Sequence, residues 1–282
     1  MKPRNATAEI YVPDGVPEAE ALARITHLGI GAHQDDLEFM ALRGIVECYA
    51  SPSEWFGGVT CTNGAGSARA GAFAGFTDAG MRAIRREEQD AAARIGRYGA
   101  MIQLDYPSAA IRGDANGLVE DLTDILRAAR PRVVYTHNPA DKHETHVAVA
   151  VAAIRAIRAL DKEARPAVVH GCEVWRGLDW MPDAEKIVHD LSGHEELSGE
   201  LNAVFKSQIA GGKRYDLGVA GRRRANATFM QSHSVDRAQS VAFAMDLTPL
   251  ALDDTLDIAE YVDGFITRFR DDVKGKLRAR LG

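Results

Sequence analysis

Residues 33–38, with the sequence His-Gln-Asp-Asp-Leu-Glu, carry one imidazole and three carboxylates. They follow an apolar run over residues 25–31 that is typical of a buried strand. Because open α/β sheets bind their ligands beyond the carboxyl ends of the strands, this position indicates a functional site. The spacing of His33 and Asp36 would let both side chains reach one ion, which would leave Asp35 free to act as a base.

A second polar cluster, residues 138–146, follows the predicted strand 132–137 and precedes an apolar helix. In a parallel sheet the carboxyl ends of the strands lie at one edge, so the two clusters can face each other across one crevice. His33 and Asp36 from the first cluster and His146 from the second would supply three ligands to an ion. A fourth position would stay open for water, as in catalytic zinc sites. Each cluster alone is equally compatible with solvated loop or helix N-terminal residues, but together they favour a metal site.

The composition is typical of a globular protein and argues against nucleic acid or a membrane as partner. The 282 residues include 34 Lys and Arg against 40 Asp and Glu, a net charge of −6, so no positive field favours either polyanion. No segment is long and apolar enough to span a bilayer, and the N-terminus lacks the apolar core of a secretory signal. The three cysteines, Cys48, Cys61 and Cys172, are expected to be reduced core thiols. We therefore expect a cytoplasmic protein.

Strand-like and helix-like segments alternate along the first part of the chain. The predicted strands are residues 25–32, 56–62, 100–104, 132–137 and 167–175, and the predicted helices are 37–49, 81–95, 117–129 and 145–160. This order predicts right-handed βαβ units in a Rossmann-like α/β fold, with a mainly parallel sheet and helices on both faces.

The whole chain, residues 1–282, is expected to form a single domain. Residues 1–175 would carry the sheet, and residues 176–282 would form an appended α/β region that completes the substrate side. Within that region, Ser192 and Glu195 match a capping box, which predicts a helix that ends at about residue 209. A last amphipathic helix is predicted over residues 252–276.

Both polar clusters resemble motifs of a known family. Residues 32–38, Ala-His-Gln-Asp-Asp-Leu-Glu, resemble the His-Pro-Asp-Asp-x-Glu motif of the LmbE-like, or PIG-L, zinc-dependent de-N-acetylases. Residues 139–146 resemble the second motif of that family, Pro-x-Asp-x-His-x-Asp-His. Weaker likenesses are an Arg-x-x-Glu helix at residues 85–96, a strand-end Thr-Asn-Gly at 62–64 and a Ser-Gln pair at 207–208. The resemblance covers residues 25–210.

Two positions depart from the family pattern. Gln34 replaces the proline of the first motif, which would loosen the turn without removing a functional group. Thr145 replaces the aspartate beside the last histidine of the second motif, a carboxylate that supports a metal ligand in the family. The loss of that carboxylate leaves open which group orients the neighbouring imidazole, and Asp141 or Glu144 could substitute.

The resemblance implies a metal-dependent hydrolase that removes an N-acetyl group from an amino sugar or a sugar conjugate. His33, Asp36 and His146 would hold Zn²⁺ or a similar divalent ion, which activates a water for attack on the amide. Asp35 would act as general base and then as general acid. His143, as imidazolium or as a neutral N–H donor, would stabilise the tetrahedral oxyanion, a contribution worth about 3 kcal/mol in comparable sites.

Four further side chains are candidates for supporting roles. Glu38 and Asp141 would orient the residues that contact the ion or the substrate. Arg85 or Arg86 would bind a hydroxyl or an anionic group of the substrate, as the arginine of the family's helix does. For these two arginines a solvated helix face is an equally good interpretation.

The sequence leaves other functions open. One is an amidase for a different amide, such as the amide bond of a thiol-sugar conjugate. Another is a non-catalytic, Rossmann-like binding or scaffold protein. Residues 29–34 match the dinucleotide-binding motif Gly-x-Gly-x-x-Gly only in part, because glutamine stands in place of the third glycine. Lys213, Arg214 and residues 222–224 form a basic patch that is expected to be a solvated face, although it could bind an anionic group of the substrate. Trp175 and Trp180 would be part of the core or a stacking surface for a sugar ring. The expected partner is a small acetamido sugar or conjugate, and a homo-oligomer is left open.

Overall fold

An eight-stranded sheet forms the centre of the structure, a computed structural model that describes residues 1–228 and 233–281. The strands are β1 (Glu9–Tyr11), β2 (His27–Gly31), β3 (Phe56–Thr62), β4 (Ala100–Tyr106), β5 (Val133–His137), β6 (Val168–Cys172), β7 (Ile187–Asp190) and β8 (Val241–Asp246). Their order across the sheet is β1-β4-β3-β2-β5-β6-β8-β7. The strands from β4 to β6 in that order are parallel, whereas β1, β7 and β8 run antiparallel to a neighbour.

The predicted Rossmann-like α/β fold is confirmed, and all five predicted strands lie in the parallel part of the sheet. The three strands that the sequence analysis missed are β1, β7 and β8, which have three, four and six residues. β7 and β8 come from the chain beyond residue 175 and extend the same sheet. β1 and β7 are difficult to predict because a hydrophobic pattern of three or four residues is brief, whereas β8 is as long as the predicted strands and was missed.

Helices cover both faces of the sheet. They are α1 (Glu18–Ala23), α2 (Asp36–Met40), α3 (Leu42–Tyr49), α4 (Asp78–Ile95), α5 (Ser108–Gly113), α6 (Asn116–Ala129), α7 (Glu144–Arg158), α8 (Glu195–Ala203), α9 (Lys206–Gln208), α10 (Tyr215–Asn226), α11 (Thr248–Leu252) and α12 (Ile258–Leu281). Short 3₁₀ turns occupy Gly71–Phe73, Lys162–Ala164 and Asp183–Glu185, and a π-helical turn occupies Ile209–Lys213.

Two apolar layers enclose the sheet. One buries side chains of α1, α6, α7, α11 and α12, and the other buries side chains of α2, α3, α4 and α8. The three cysteines are free and buried in these layers, as predicted. In the part of the chain that the structure describes, no helix is long and apolar enough to cross a membrane.

Two helix predictions are wrong in detail. The helix predicted over residues 37–49 is divided at Ala41, whose backbone leaves the helical region with φ −104° and ψ 16°. The capping box at Ser192 does not form, because the Ser192 hydroxyl donates to the Asp190 carboxylate and accepts from the backbone N–H of Gln239. The helix there begins after His194 and ends at Ala203, well before residue 209.

Candidate metal and catalytic site

The two polar clusters meet at the carboxyl edge of the sheet, as the parallel topology predicts. β2 ends at Gly31 and leads into the first cluster, and its neighbour β5 ends at His137 and leads into the second. α2 and α7 begin inside these clusters, so Asp36 and His146 project from the first turn of a helix. The strand pairing therefore brings together side chains that are more than a hundred residues apart in sequence.

Three ligand atoms form a nearly equilateral triangle at this edge. His33 Nδ1 lies 3.3 Å from Asp36 Oδ2 and 3.3 Å from His146 Nε2, and the third side, His146 Nε2 to Asp36 Oδ2, is 3.6 Å. A tetrahedral ion with bonds of about 2.0–2.1 Å has ligand atoms about 3.3 Å apart. His33, Asp36 and His146 therefore fit three corners of such a coordination shell, with the fourth direction left open. Asp36 and His146 are buried, and His33 is partly exposed on the open side.

The second nitrogen of His146 has a carboxylate partner. His146 Nδ1 lies 3.1 Å from Asp141 Oδ2, and Asp141 Oδ1 accepts the backbone N–H of His143 at 2.8 Å. This contact places the His146 proton on Nδ1 and leaves Nε2 free as a ligand. Thr145, which replaces the family's aspartate, is bonded instead to Arg112 at 3.1 Å. Of the two substitutes considered from the sequence, the structure places Asp141 rather than Glu144 beside His146.

His137 is a buried part of the site that the sequence analysis did not select. Its ring stacks on His146 with centroids 3.9 Å apart, and its Nε2 accepts the backbone N–H of Ala32 at 2.9 Å. Burial lowers the pKa of His137 to about 4, so the ring is neutral. His137 is the last residue of β5, immediately before the second cluster. This position at a strand end was the feature of the sequence that could have identified it as a site residue.

The adjacent aspartates have different surroundings. Asp36 lies among three imidazoles, and although burial opposes it, His146 and His137 hold the pKa of Asp36 well below its usual value. The Asp35 carboxylate instead accepts a hydrogen bond from Arg85 Nη2 at 2.8 Å. Burial raises the pKa of Asp35 to about 6, against the opposing effect of the Arg85 guanidinium. Asp35 is thus a buried carboxylate with a pKa close to the range in which proton transfer is efficient.

The backbone of Asp35 is strained. Its φ of 88° lies in the left-handed region, which is rare for residues other than glycine and costs about 1–3 kcal/mol. The Asp35 N–H donates to Gln89 Oε1 at 3.1 Å, and this bond from α4 helps to hold the unusual conformation. Strain of this kind clusters at functional sites. The position of Asp35, between β2 and the triangle of ligand atoms, agrees with this.

Arg85 is a buried bridge between Asp35 and the C-terminal part of the chain. Its guanidinium contacts Asp35 and, at 3.2 Å, Glu88. Glu88 in turn accepts the backbone N–H of Ser207 at 2.6 Å and its hydroxyl at 2.7 Å. The guanidinium of Arg85 is therefore paired with two carboxylates, although the side chain lines the cavity. Arg86, the other predicted arginine, contacts Thr7, Glu9 and Asp105 and does not line the cavity.

Glu38 is completely buried behind the site. Its Oε1 accepts from Tyr98 at 2.7 Å and from Gln89 at 2.8 Å. Burial raises the pKa of Glu38 to about 7, against the lowering effect of the Tyr98 hydrogen bond. Because Gln89 also accepts from the Asp35 backbone, Glu38 orients the amide that supports Asp35. The structure thus gives Glu38 a supporting position with no direct access to the cavity.

His143 sits over the triangle with one nitrogen already occupied. Its Nδ1 accepts the backbone N–H of Thr145 at 3.3 Å, which leaves the ring proton on Nε2. Burial and the neighbouring His146 and His33 lower the pKa of His143, so the neutral form is favoured. Of the two forms left open by the sequence, this geometry supports the neutral N–H donor.

Gln34 and Gly64 connect the first motif to the loop after β3. The buried Gln34 amide donates to the Thr62 carbonyl at 3.0 Å and lies 3.3 Å from Gln103 Oε1. The turn is therefore anchored by a side chain rather than loosened by the missing proline. Gly64 has a φ of 67°, and a Cβ there would lie 2.6 Å from Gln34 Oε1 and 3.0 Å from Arg85 Cβ. Only glycine satisfies both demands at this position.

A cavity of about 500 Å³ opens above the triangle. One part is lined by the chemically active side chains, namely His33, Asp35, Asp36, Arg85, His143 and His146. The remainder includes the aromatic rings of Trp175 and Tyr215, which meet edge to face at 5.5 Å, and the cations Arg112 and Lys213. Arg112 and Tyr215 were not singled out from the sequence, because they come from helices without a recognisable motif.

The basic run at residues 222–224 is not uniformly solvated. Arg223 is buried, and it donates to the Glu38 and Phe39 carbonyls at 2.8 and 2.9 Å and to the Ser198 hydroxyl at 2.5 Å. Burial lowers the pKa of Arg223 to about 10, which leaves it charged at neutral pH. The expectation of a solvated face is therefore wrong for Arg223, whose charge meets carbonyl dipoles at the C-terminal end of α2.

The fold and the site define a class: an α/β protein whose parallel sheet presents a His-Asp-His triangle and an adjacent buried aspartate at its carboxyl edge. Residues 28–157 match the model of the PIG-L family, described as GlcNAc-PI de-N-acetylase. The family resemblance predicted from the two motifs is thereby confirmed. No curated protein sequence matches the chain significantly.

Solved structures with the same fold have different reactions in their descriptions. GalB, the 4-carboxy-2-hydroxymuconate hydratase of Pseudomonas putida KT2440, is similar with a TM-score of 0.62 and 20% identity over 79% of this chain and 96% of its own. The N,N'-diacetylchitobiose deacetylase of Pyrococcus horikoshii has a TM-score of 0.55 and 18% identity over 77% and 82% of the two chains. The zinc-inhibited form of teicoplanin deacetylase Orf2 has a TM-score of 0.55 and 15% identity over 78% and 98%. At these identities the likeness shows the fold and not the reaction.

Proposed function

We propose that this protein is a divalent-metal-dependent hydrolase that removes an N-acetyl group from an amino sugar or a sugar conjugate. The observation that carries the proposal is the triangle of His33, Asp36 and His146 ligand atoms with the buried Asp35 carboxylate beside it. The family match over residues 28–157 and the deacetylases among the fold neighbours support the same reaction. Zn²⁺ is the ion we propose, because two imidazoles and one carboxylate with tetrahedral spacing suit it.

In this proposal the ligands and the proton carrier are separate groups. His33, Asp36 and His146 would hold the ion, which when bound would supply the positive charge that acidifies a water and polarises the amide carbonyl. Asp35 accepts the proton of the attacking water and afterwards delivers a proton to the departing amine. Arg85 keeps the Asp35 carboxylate oriented toward the cavity, while Glu88 binds the same guanidinium through Nη1 and holds it in place.

The other named residues act on the substrate or on the ligands. His143 donates its Nε2–H to the developing oxyanion, since its Nδ1 is occupied by the Thr145 amide. Asp141 orients His146, and Glu38 supports Asp35 through Gln89. The rings of Trp175 and Tyr215 offer apolar surfaces against which a sugar ring could lie. Arg86 has no role in this scheme, because its contacts lie outside the cavity.

The reaction is tested by an amine-release and acetate-release screen with zinc-reconstituted protein. The substrates are N-acetyl amino sugars and their conjugates, with thiol-sugar amides as a parallel set and 4-carboxy-2-hydroxymuconate as a probe of hydration. We expect acetate and amine in equal amounts from at least one acetamido sugar. Release from other amides alone would favour the amidase alternative, and hydration alone would contradict the proposal.

Three variants make the screen specific. Asp35→Asn should lower release about 10²–10⁴-fold and His146→Ala should abolish it. Asp183→Asn, a carboxylate-to-amide change at an 86% exposed side chain, should not alter release. Turnover that persists in Asp35→Asn at the wild-type rate would contradict the assignment of Asp35 as the base.

A further inference from the structure

The cavity holds more positive charge than the proposed reaction uses. Among its lining cations, Arg85 is paired with Asp35 and Glu88. The negative charge of Asp36 faces the three imidazoles and would be balanced by a divalent ion. The other two cations of the lining, Arg112 and Lys213, have exposed side chains and are not used by the proposed reaction.

Arg112 is hydrogen-bonded to a neutral hydroxyl, that of Thr145, beside the proposed ligand His146. Its Nη1 donates to the Thr145 hydroxyl at 3.1 Å, and the Thr145 N–H donates to His143 Nδ1. The carboxylate beside it, Glu144, lies 3.9 Å from Arg112 Nε on a side chain that is 89% exposed. An ion pair at that distance and exposure is weak, so most of the guanidinium charge is uncompensated. The free N–H groups of Arg112 are thus available two hydrogen bonds away from His143.

Lys213 brings a second cation to the cavity from the opposite part of the chain. It closes the π-helical turn Ile209–Lys213, in which Gly212 has a φ of 81°. Within residues 1–228 and 233–281, Lys213 forms no ion pair, whereas the next residue, Arg214, is paired with Asp216 at 2.8 Å and does not line the cavity.

We propose that Arg112 and Lys213 form a subsite for an anionic substituent, a carboxylate or a phosphate, on the acetamido substrate. This inference rests on the proposed function, because it assigns the substrate class of the same cavity. A guanidinium binds carboxylate and phosphate oxygens in a fixed fork, and an ammonium adds a mobile point charge. Because Arg112 has only the weak Glu144 pair and Lys213 has no ion pair among the described residues, the cavity attracts an anionic sugar more strongly than its neutral counterpart.

The experiment measures binding rather than turnover. Zinc-loaded Asp35→Asn protein is titrated calorimetrically with N-acetylglucosamine, its 1-phosphate and 6-phosphate, and N-acetylmuramic acid, which carries a carboxylate. We expect at least one anionic sugar to bind about 10-fold more tightly than the neutral one, with a preference that shrinks as salt is added. The phosphate and carboxylate arms show which anion the subsite takes.

Substitutions in the same background locate the subsite. Arg112→Gln and Lys213→Gln should each reduce the anionic preference about 5-fold or more, and Arg214→Gln should leave it unchanged. Thr145→Asp should reduce it as Arg112→Gln does, because a carboxylate at 145 would neutralise Arg112, whereas Thr145→Ser should retain it. Equal binding of neutral and anionic sugars, or a preference that survives in the Arg112→Gln/Lys213→Gln double variant, would overturn the inference. If the preference is found but the unsubstituted protein releases no acetate, the subsite stands and the proposed reaction fails.

Discussion

At the scale of single residues, Asp35 and Asp36 have the same side chain but differ in backbone conformation and in the groups that they contact. Asp36 contacts imidazoles on the ion side of the loop, while Asp35, with its left-handed backbone, contacts Arg85. The motif order alone predicted this division between ligand and base. It could not supply the buried groups that produce the division, because Arg85 and Gln89 come from α4, about fifty residues away.

Removing the Asp35 carboxylate tests its proposed role directly. We expect Asp35→Asn to lower kcat about 10²–10⁴-fold while zinc binding is retained, because a general base is lost and no ligand is. Turnover is followed by acetate release and zinc content by elemental analysis of the dialysed protein. Loss of zinc together with activity would instead make Asp35 a ligand.

Asp141 should control the affinity of the ion through His146. We expect Asp141→Asn to weaken zinc binding about 10–100-fold, because the amide no longer fixes the Nδ1–H tautomer as a carboxylate does. Competition with a chelator of known affinity gives the change. Glu144→Gln is the matched control on the adjacent exposed carboxylate, and an equal loss there would argue against a specific Asp141–His146 contact.

At the scale of elements, the short helix α2 depends on support from the C-terminal part of the chain. It has five residues, too few to be stable alone, and it carries Asp36 in its first turn. Arg223 of α10 binds the Glu38 and Phe39 carbonyls of this helix, and Ser207 before the π-helical turn binds Glu88 of α4. The sequence predicted a single long helix here, because hydrophobic periodicity continues across the break at Ala41 and does not report backbone geometry.

Loss of Arg223 should therefore destabilise the protein. We expect Arg223→Met to lower the free energy of unfolding by about 1–3 kcal/mol, because the bonds to α2 carbonyls are lost while the cost of burying a charge is also removed. Chemical denaturation measures the change. Arg222→Met, an exposed neighbour on the same helix, should change it by less than about 0.5 kcal/mol. Similar effects of the two substitutions would contradict the role assigned to Arg223.

At the scale of the whole molecule, the parallel centre of the sheet was predictable and its antiparallel borders were not. The apolar strands from β2 to β6 are buried on both faces and alternate with amphipathic helices, which gives a clear pattern. β1 and β7 have only three and four residues, and β1, β7 and β8 lie outside the alternation of strands and helices that marks the centre. The extent of the domain, a cytoplasmic location and the oligomeric state stay predictions or open questions.

The acid stability of the whole fold should depend on a buried histidine pair. His189 Nε2 lies 3.0 Å from His170 Nδ1, and burial lowers the pKa of His189 to about 3, with His170 adding to the shift. An unfolded histidine has a pKa of about 6.5, so between these values the unfolded chain binds a proton that the folded chain does not. The free energy of unfolding should therefore fall as the pH decreases from about 6.5 toward 3.

Substitution of this histidine should flatten that dependence. We expect the free energy of unfolding of His189→Gln to fall less steeply than that of the wild type over the same pH range. His233→Gln, at an exposed histidine, should follow the wild-type curve. Parallel curves for wild type and His189→Gln, measured by denaturation at several pH values, would show that this pair does not contribute.

The central claim is that His33, Asp36 and His146 bind one divalent ion beside an aspartate that is not a ligand. Zinc titration of metal-free protein, followed by calorimetry, tests this claim most directly when wild type, His33→Ala, His146→Ala and Asp35→Asn are compared. We predict one tight site in wild type and Asp35→Asn, and its loss in both histidine variants. Zinc binding that is absent from wild type, or equal in all four proteins, would contradict the account.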